Sequence, residues 1–221
     1  MEKRKNTSKV LDQLATVLFS LPWLDIFAEL VKVTRKLWQG LADEGIYEVL
    51  EHEATLEILD KKGKRARVSK RQRVRYLQNN IVAFQDQAWG DGDILLNYRC
   101  SPGVVVDKWR PGQKKLILIS LRETKRRGDV DEYNIQWGMR NSFLRDKELW
   151  ETEVSHRTKY LNMSVIFPKG RPPRRSWVVE ALRRRRLGED SLVKLPGGGW
   201  QLSWEVIRPR LNERYQLHWE W

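Results

Sequence analysis

The sequence predicts a mainly β protein: an antiparallel β-sandwich or barrel-like domain of about eight to ten strands over residues 46–221, with a short helical hairpin before it in residues 1–45. Three observations predict it. From Tyr47 onward apolar and polar residues alternate, turn residues recur at short intervals, and no alternation of strands with helices announces a parallel sheet.

Before Tyr47 the period is helical. Val10, Leu11, Leu14, Val17, Leu18 and Leu21 recur at the spacing of one buried helix face, with Ser8 as the N-cap. Pro22 suits the first turn of a second helix, whose stripe runs through Trp23, Phe27, Leu30, Val31, Leu37, Trp38 and Leu41. Asp12, Asp25, Glu29, Lys32, Arg35 and Lys36 break every window before the roughly 18 to 20 apolar residues that a bilayer crossing requires, so no membrane span is expected. A helical hairpin this short cannot bury its own stripe. Leu14, Leu18, Trp23, Phe27, Leu30 and Trp38 are therefore the residues expected to dock a protein partner or a second copy.

The first β-hairpin is read from Ala54 to Leu59, a turn at Asp60-Lys-Lys-Gly63, and a return through Ala66 and Val68 to Val74 and Tyr76. Residues 79–112 hold short apolar runs (Ile81–Phe84, Ile94–Leu96, Val104–Val106) that fit either short strands or a long surface excursion. Leu116–Leu121 has the unbroken apolar character of a central strand. The charged tip Lys125–Asp129 separates it from the alternation of Tyr133, Ile135, Trp137 and Met139. Leu161, Met163, Val165 and Phe167 form another strand, stopped by Pro168. Pro196-Gly-Gly-Gly199 reads as a hairpin turn leading to Trp200–Val206, and Tyr215, Leu217, Trp219 and Trp221 read as a strand held in a sheet. Most of the eleven tryptophans fall in these alternations, which assigns them to core filling before ligand cages.

Chemistry is sparse. There is no phosphate loop of the Gly-x4-Gly-Lys-Ser/Thr type, and His52, His156 and His218 with the one cysteine, Cys100, match no zinc spacing, so no metal and no cofactor is expected. Asp86, Asp91 and Asp93 bring oxygen donors together in a glycine-bearing string but lack the calcium-loop spacing, and a turn is the default for them. Cys100 with His156 is the only nucleophile-base pair available, and it defines a cysteine-dependent hydrolase as the third functional reading. The single cysteine excludes an intramolecular disulfide, and the first residues lack a signal-peptide core, so a cytoplasmic location is expected.

The formal charge is +13, which makes polyanions a natural class of partner. The basic residues are grouped: Lys61, Lys62, Lys64 and Arg65; then Arg71, Arg73 and Arg75, which an alternating strand projects from one side; further groups at Lys125–Arg127 and Arg171–Arg175; and Arg183, Arg184, Arg185 and Arg186. No RNA-recognition aromatic signature, KH glycine loop or helix-turn-helix accompanies them. The first reading is thus a non-enzymatic interaction or regulatory module, a protein-binding adaptor of the kind used in signalling or defence complexes. The second is a nucleic-acid-binding β domain that uses its basic stripes.

Overall fold

A computed structural model describes residues 45–221, and the helical hairpin expected before them, with its docking residues Leu14 to Trp38, lies outside that range. The described residues are mainly β, in fourteen strands rather than eight to ten, arranged as three open sheets and not as a closed barrel. The count rises because the runs in 79–112 are strands rather than a surface excursion, and because short strands of three to six residues carry too little sequence to show a period.

The expected first hairpin is present and longer than the sequence suggested: β1 (Tyr47–Ile58) pairs antiparallel with β2 (Arg65–Tyr76) along nearly its whole length. Asp60 caps its turn. The Oδ1 atom accepts from the backbone N–H of Lys62 (3.0 Å) and Lys64 (3.2 Å), and Oδ2 accepts from Arg65 (2.8 Å). β3 (Ile81–Ala88), β4 (Asp93–Ser101) and β5 (Val104–Trp109) follow, then β6 (Lys115–Lys125) and β7 (Val130–Arg140). β6 is the central strand of a three-stranded sheet, β3-β6-β5, as its apolar run predicts. Its successor β7 joins a different sheet, so the charged tip 125–129 carries the chain from one sheet to another instead of closing a hairpin.

β8 (Lys147–Glu153), β9 (Tyr160–Phe167), β10 (Arg175–Glu180), β11 (Arg183–Arg186), β12 (Leu192–Lys194), β13 (Trp200–Ile207) and β14 (Arg214–Glu220) complete the domain. The large sheet has the order β12-β13-β9-β1-β2-β7-β4, and a third sheet runs β11-β10-β14-β8. One pairing departs from the antiparallel expectation: β1 and β9 run parallel, with His52 beside Leu161 and Glu57 beside Ile166. The Pro-Gly-Gly-Gly segment turns β12 into β13 as read, with the N–H of Leu195 donating to the Gly199 carbonyl at 2.9 Å.

The three sheets share one apolar core containing Leu56, Val68, Tyr133, Ile117, Ile119, Leu161, Val178, Leu217 and Trp219. Trp137, Trp204 and Trp219 are buried in the core as their alternation predicts; Trp150 is buried there too, and Trp177 is buried on an outer sheet face. Lys70 breaks the apolar rule of the inner face. Its ammonium is ion-paired with Asp86 on β3 and lies 4.9 Å from the Trp137 ring centroid, while Tyr98 donates to the other Asp86 oxygen at 2.9 Å. A charge buried this deeply stands only when paired and hydrogen-bonded.

Candidate polyanion interface

β2 places Arg71, Arg73 and Arg75 on one outer face of the large sheet, as the alternation requires, but β1 lies antiparallel beside it with Glu48, Glu51, Glu53 and Glu57 on the same face. The Arg71 guanidinium donates to Glu53 (2.6 and 3.1 Å), Glu51 (2.9 Å) and Glu132 of β7 (3.0 Å). Arg73 pairs with Glu51 at 3.3 Å and Arg75 with Glu48 at 3.2 Å. The hydrogen bond from Arg71 holds the Glu53 carboxyl below its ordinary range. The stripe is therefore a neutralised cross-strand network, not a free cationic track. The regular register from the turn sets Glu51 and Glu53 opposite Arg73 and Arg71, and a register shift between Val49 and Glu51 brings Glu48 opposite Arg75.

Three of the other groups stay largely cationic, and the fold links them. Lys61, Lys62, Lys64 and Arg65 ring the tip of the β1–β2 hairpin, where Arg140 and Asn141 line the same shallow recess. Gly63 lets this tip approach β7: it has φ +69°, and a Cβ there would stand 1.7 Å from the Phe143 carbonyl oxygen. The Asn141 N–H donates to the Lys64 carbonyl at 2.7 Å, fixing the approach. From the β9–β10 loop, Arg171 donates through Nη1 to the Lys61 carbonyl, and its guanidinium lies 3.7 Å over the Trp221 ring. Burial pulls the Arg171 guanidinium below its ordinary range. Arg171 also lines a second recess together with Lys147, Arg174, Arg175, Glu220 and Trp221.

That recess opens onto the outer face of the β11-β10-β14-β8 sheet. Arg175, Trp177 and Val179 point to this face, and the cross-strand register sets Arg186 beside Trp177 and Arg184 beside Val179. The Arg184 guanidinium lies 3.9 Å over the Trp177 ring, and His218 stacks on the same tryptophan at 5.2 Å. His218 is on the outer face as its alternation predicts, but it is half-buried there, and burial followed by the charge of Arg184 lowers its basicity. Arg183 and Arg185 project from the opposite side of β11, away from this row. A belt thus runs from Lys61 and Lys64 through Arg171, Arg174 and Arg175 to Arg184 and Arg186. None of these residues has an ion-pair partner among the described residues.

No protein-family model matches the sequence, and no curated protein matches it. Solved structures similar in part include an M1 zinc metallopeptidase from Deinococcus radiodurans, at 8% identity and a TM-score of 0.45. Another is a two-domain M1 zinc metallopeptidase mutant bound to L-arginine, at 8% identity and a TM-score of 0.46. Each alignment covers 77% of this chain and 42% of the peptidase, so the chain spans less than half of those proteins, and a likeness this slight carries no argument about activity.

The remaining candidates are dispersed. Asp86 is buried in β3 on Lys70, Asp91 is exposed and faces Arg145 at 3.3 Å, and Asp93 opens β4; among the described residues no three potential metal ligands converge. Cys100 contacts the Pro102 carbonyl, whereas His156 stacks on Tyr47 at 4.2 Å and meets Ser155 Oγ at 3.2 Å. Burial, reinforced by Asp86, pushes the Cys100 thiol up to about 12, and burial lowers His156 to about 4. A thiol so hard to ionise, beside no base, is a poor nucleophile. Arg140, Trp177 and Trp221, which border the belt, and Lys147, which is ion-paired with Glu220 at 3.0 Å, carry no local signal in the sequence, because only long-range pairing brings them there.

Proposed function

We propose that the domain is a non-enzymatic binding module that holds an extended polyanion, a nucleic-acid backbone, along the belt from Lys61 to Arg186. The observation that carries this reading is the position of Arg171. It contacts the tip that bears Lys61 and lines the recess that leads to Arg175, so two basic groups far apart in sequence become one surface. Unpaired arginines and lysines along such a surface neutralise successive phosphates and release their counterions. Arginines seated on Trp221 and Trp177 are held in place and lose less freedom on binding.

The test is fluorescence anisotropy of labelled single- and double-stranded oligonucleotides titrated with the full chain. Affinity falls with salt, by about 10³–10⁵ between roughly 50 and 200 mM if six to ten phosphates are contacted. Charge reversal at Arg175 and Arg184 weakens binding to all sequences alike. The same reversal at Arg126 and Arg127, which sit at the other end of β2 beside Tyr76, is the charge-matched control and leaves most of the affinity. Equal losses in the two sets, or no binding at low salt, would overturn the proposal.

A further inference from the structure

We infer that the end of the domain carrying the β10–β11 turn docks on an anionic phospholipid surface through apolar residues that lie beyond the Arg184 end of the basic belt. The turn is two residues long, Ala181 and Leu182, between the paired residues Glu180 and Arg183. Both central residues take positive φ, +45° and +64°. Tight hairpins favour that backbone, but asparagine and glycine adopt it readily, whereas alanine and leucine are strained in it. The Leu182 side chain is moreover 100% exposed, so its strained placement gains no packing within the domain.

A second loop stands beside it. The N–H of Ala181 donates to Glu213 Oε1 at 2.9 Å, which ties the turn to the β13–β14 connection. The end of β13 exposes Ile207 (75%), and the connection itself exposes Leu211 (50%). Arg183, Arg208 and Arg210 interleave with these three apolar residues and are exposed, with no ion-pair partner among the described residues. Apolar tips on projecting turns, rimmed by unpaired guanidinium groups, match a bilayer interface: leucine and isoleucine enter the acyl boundary while arginines meet anionic headgroups. Arg175 begins β10 and Leu182 follows its end, so the lipid contact lies at the opposite end of that strand from the recess beside Arg175 and adjoins the belt only where it reaches Arg184.

The experiment is co-sedimentation of the full chain with vesicles of phosphatidylcholine alone and of phosphatidylcholine mixed with phosphatidylserine. Binding is expected to the mixed vesicles only. The paired substitution Ala181→Asn with Leu182→Gly suits the turn backbone, so it leaves the fold at least as stable while weakening vesicle binding about tenfold or more. Leu211→Asp weakens it likewise, and both variants keep their oligonucleotide affinity, which separates this inference from the belt. No binding to mixed vesicles overturns it. So does binding that charge reversal at Arg183, Arg208 and Arg210 abolishes but the leucine variants leave intact, since that is adsorption of a basic protein without insertion. Capture of an acidic protein by the turn, with vesicles ignored, also overturns it in favour of a protein partner.

Discussion

Lys70 on β2 and Asp86 on β3 form an ion pair across the interior between two sheets, with side chains 9% and 3% exposed. Each is the other's main source of compensation for lost water. Lys70→Met therefore strands a buried carboxylate and is expected to cost about 3–5 kcal/mol, while Lys70→Met combined with Asp86→Leu recovers most of the loss. Urea denaturation of the single and double variants measures both. A single variant that unfolds with the parent's midpoint would refute the assignment.

Stability should fall on mild acidification. Burial, with the positive charge of Lys70 adding to it, lowers His52 to about 3, and burial lowers His156 to about 4. The unfolded chain then binds protons that the folded state refuses, so the stabilisation is complete above about pH 6.5 and is lost as pH drops from there toward the folded values. Each histidine contributes about 1.4 kcal/mol per pH unit in that window. His52→Gln should flatten the slope of unfolding free energy between pH 6 and pH 5, with His156 and His218 supplying what remains; an unchanged slope would assign the acid lability elsewhere.

Gly63→Ala combines a left-handed backbone with a direct clash against the Phe143 carbonyl. The expected loss is at least about 1–2 kcal/mol, with the hairpin tip displaced from Asn141. Thermal unfolding reads the first effect. Weaker oligonucleotide binding, measured below the melting range, reads the second.

Arg71 holds three glutamates, whereas Arg75 holds one. Arg71→Ala leaves Glu53 and Glu132 without this partner and Glu51 with Arg73 alone, for an expected cost of about 1 kcal/mol at low salt that shrinks as salt rises. Arg75→Ala should cost less than about 1 kcal/mol. Neither belongs to the belt, so oligonucleotide affinity should follow neither substitution. A loss matching that of the Arg175 and Arg184 variants would return the stripe to the binding surface.

The β1–β2 hairpin was legible in the sequence because its alternation is regular and its turn carries aspartate and glycine where the backbone needs them. β4 was not, since Leu95 and Asn97 take positive φ inside it and its register against β7 shifts twice, which erases the two-residue period. The two-residue period already sets Lys70 and Gln72 on the inward face with Val68 and Val74, but only Asp86, brought in on another sheet, supplies the partner that lets a lysine stand there. The belt was legible as three groups of charges. Their union through Arg171 depends on contacts between residues more than a hundred positions apart, which local patterning does not encode.

The parallel pairing of β1 with β9 also sets a sequence of events. On one side of it β1, β2, β7 and β4 form an antiparallel block, and on the other β9, β13 and β12 form a second, each closed by its own ladders. The full width of the sheet exists only once the later block lays β9 along β1, a meeting of distant segments that no turn can template. Folding is accordingly of the slow, high-contact-order kind, about milliseconds to seconds, with this seam as the step that waits on chain diffusion. Until it closes, β1 and β9 each present an unpaired edge, so the same seam is where the chain is most open to pairing with a neighbour.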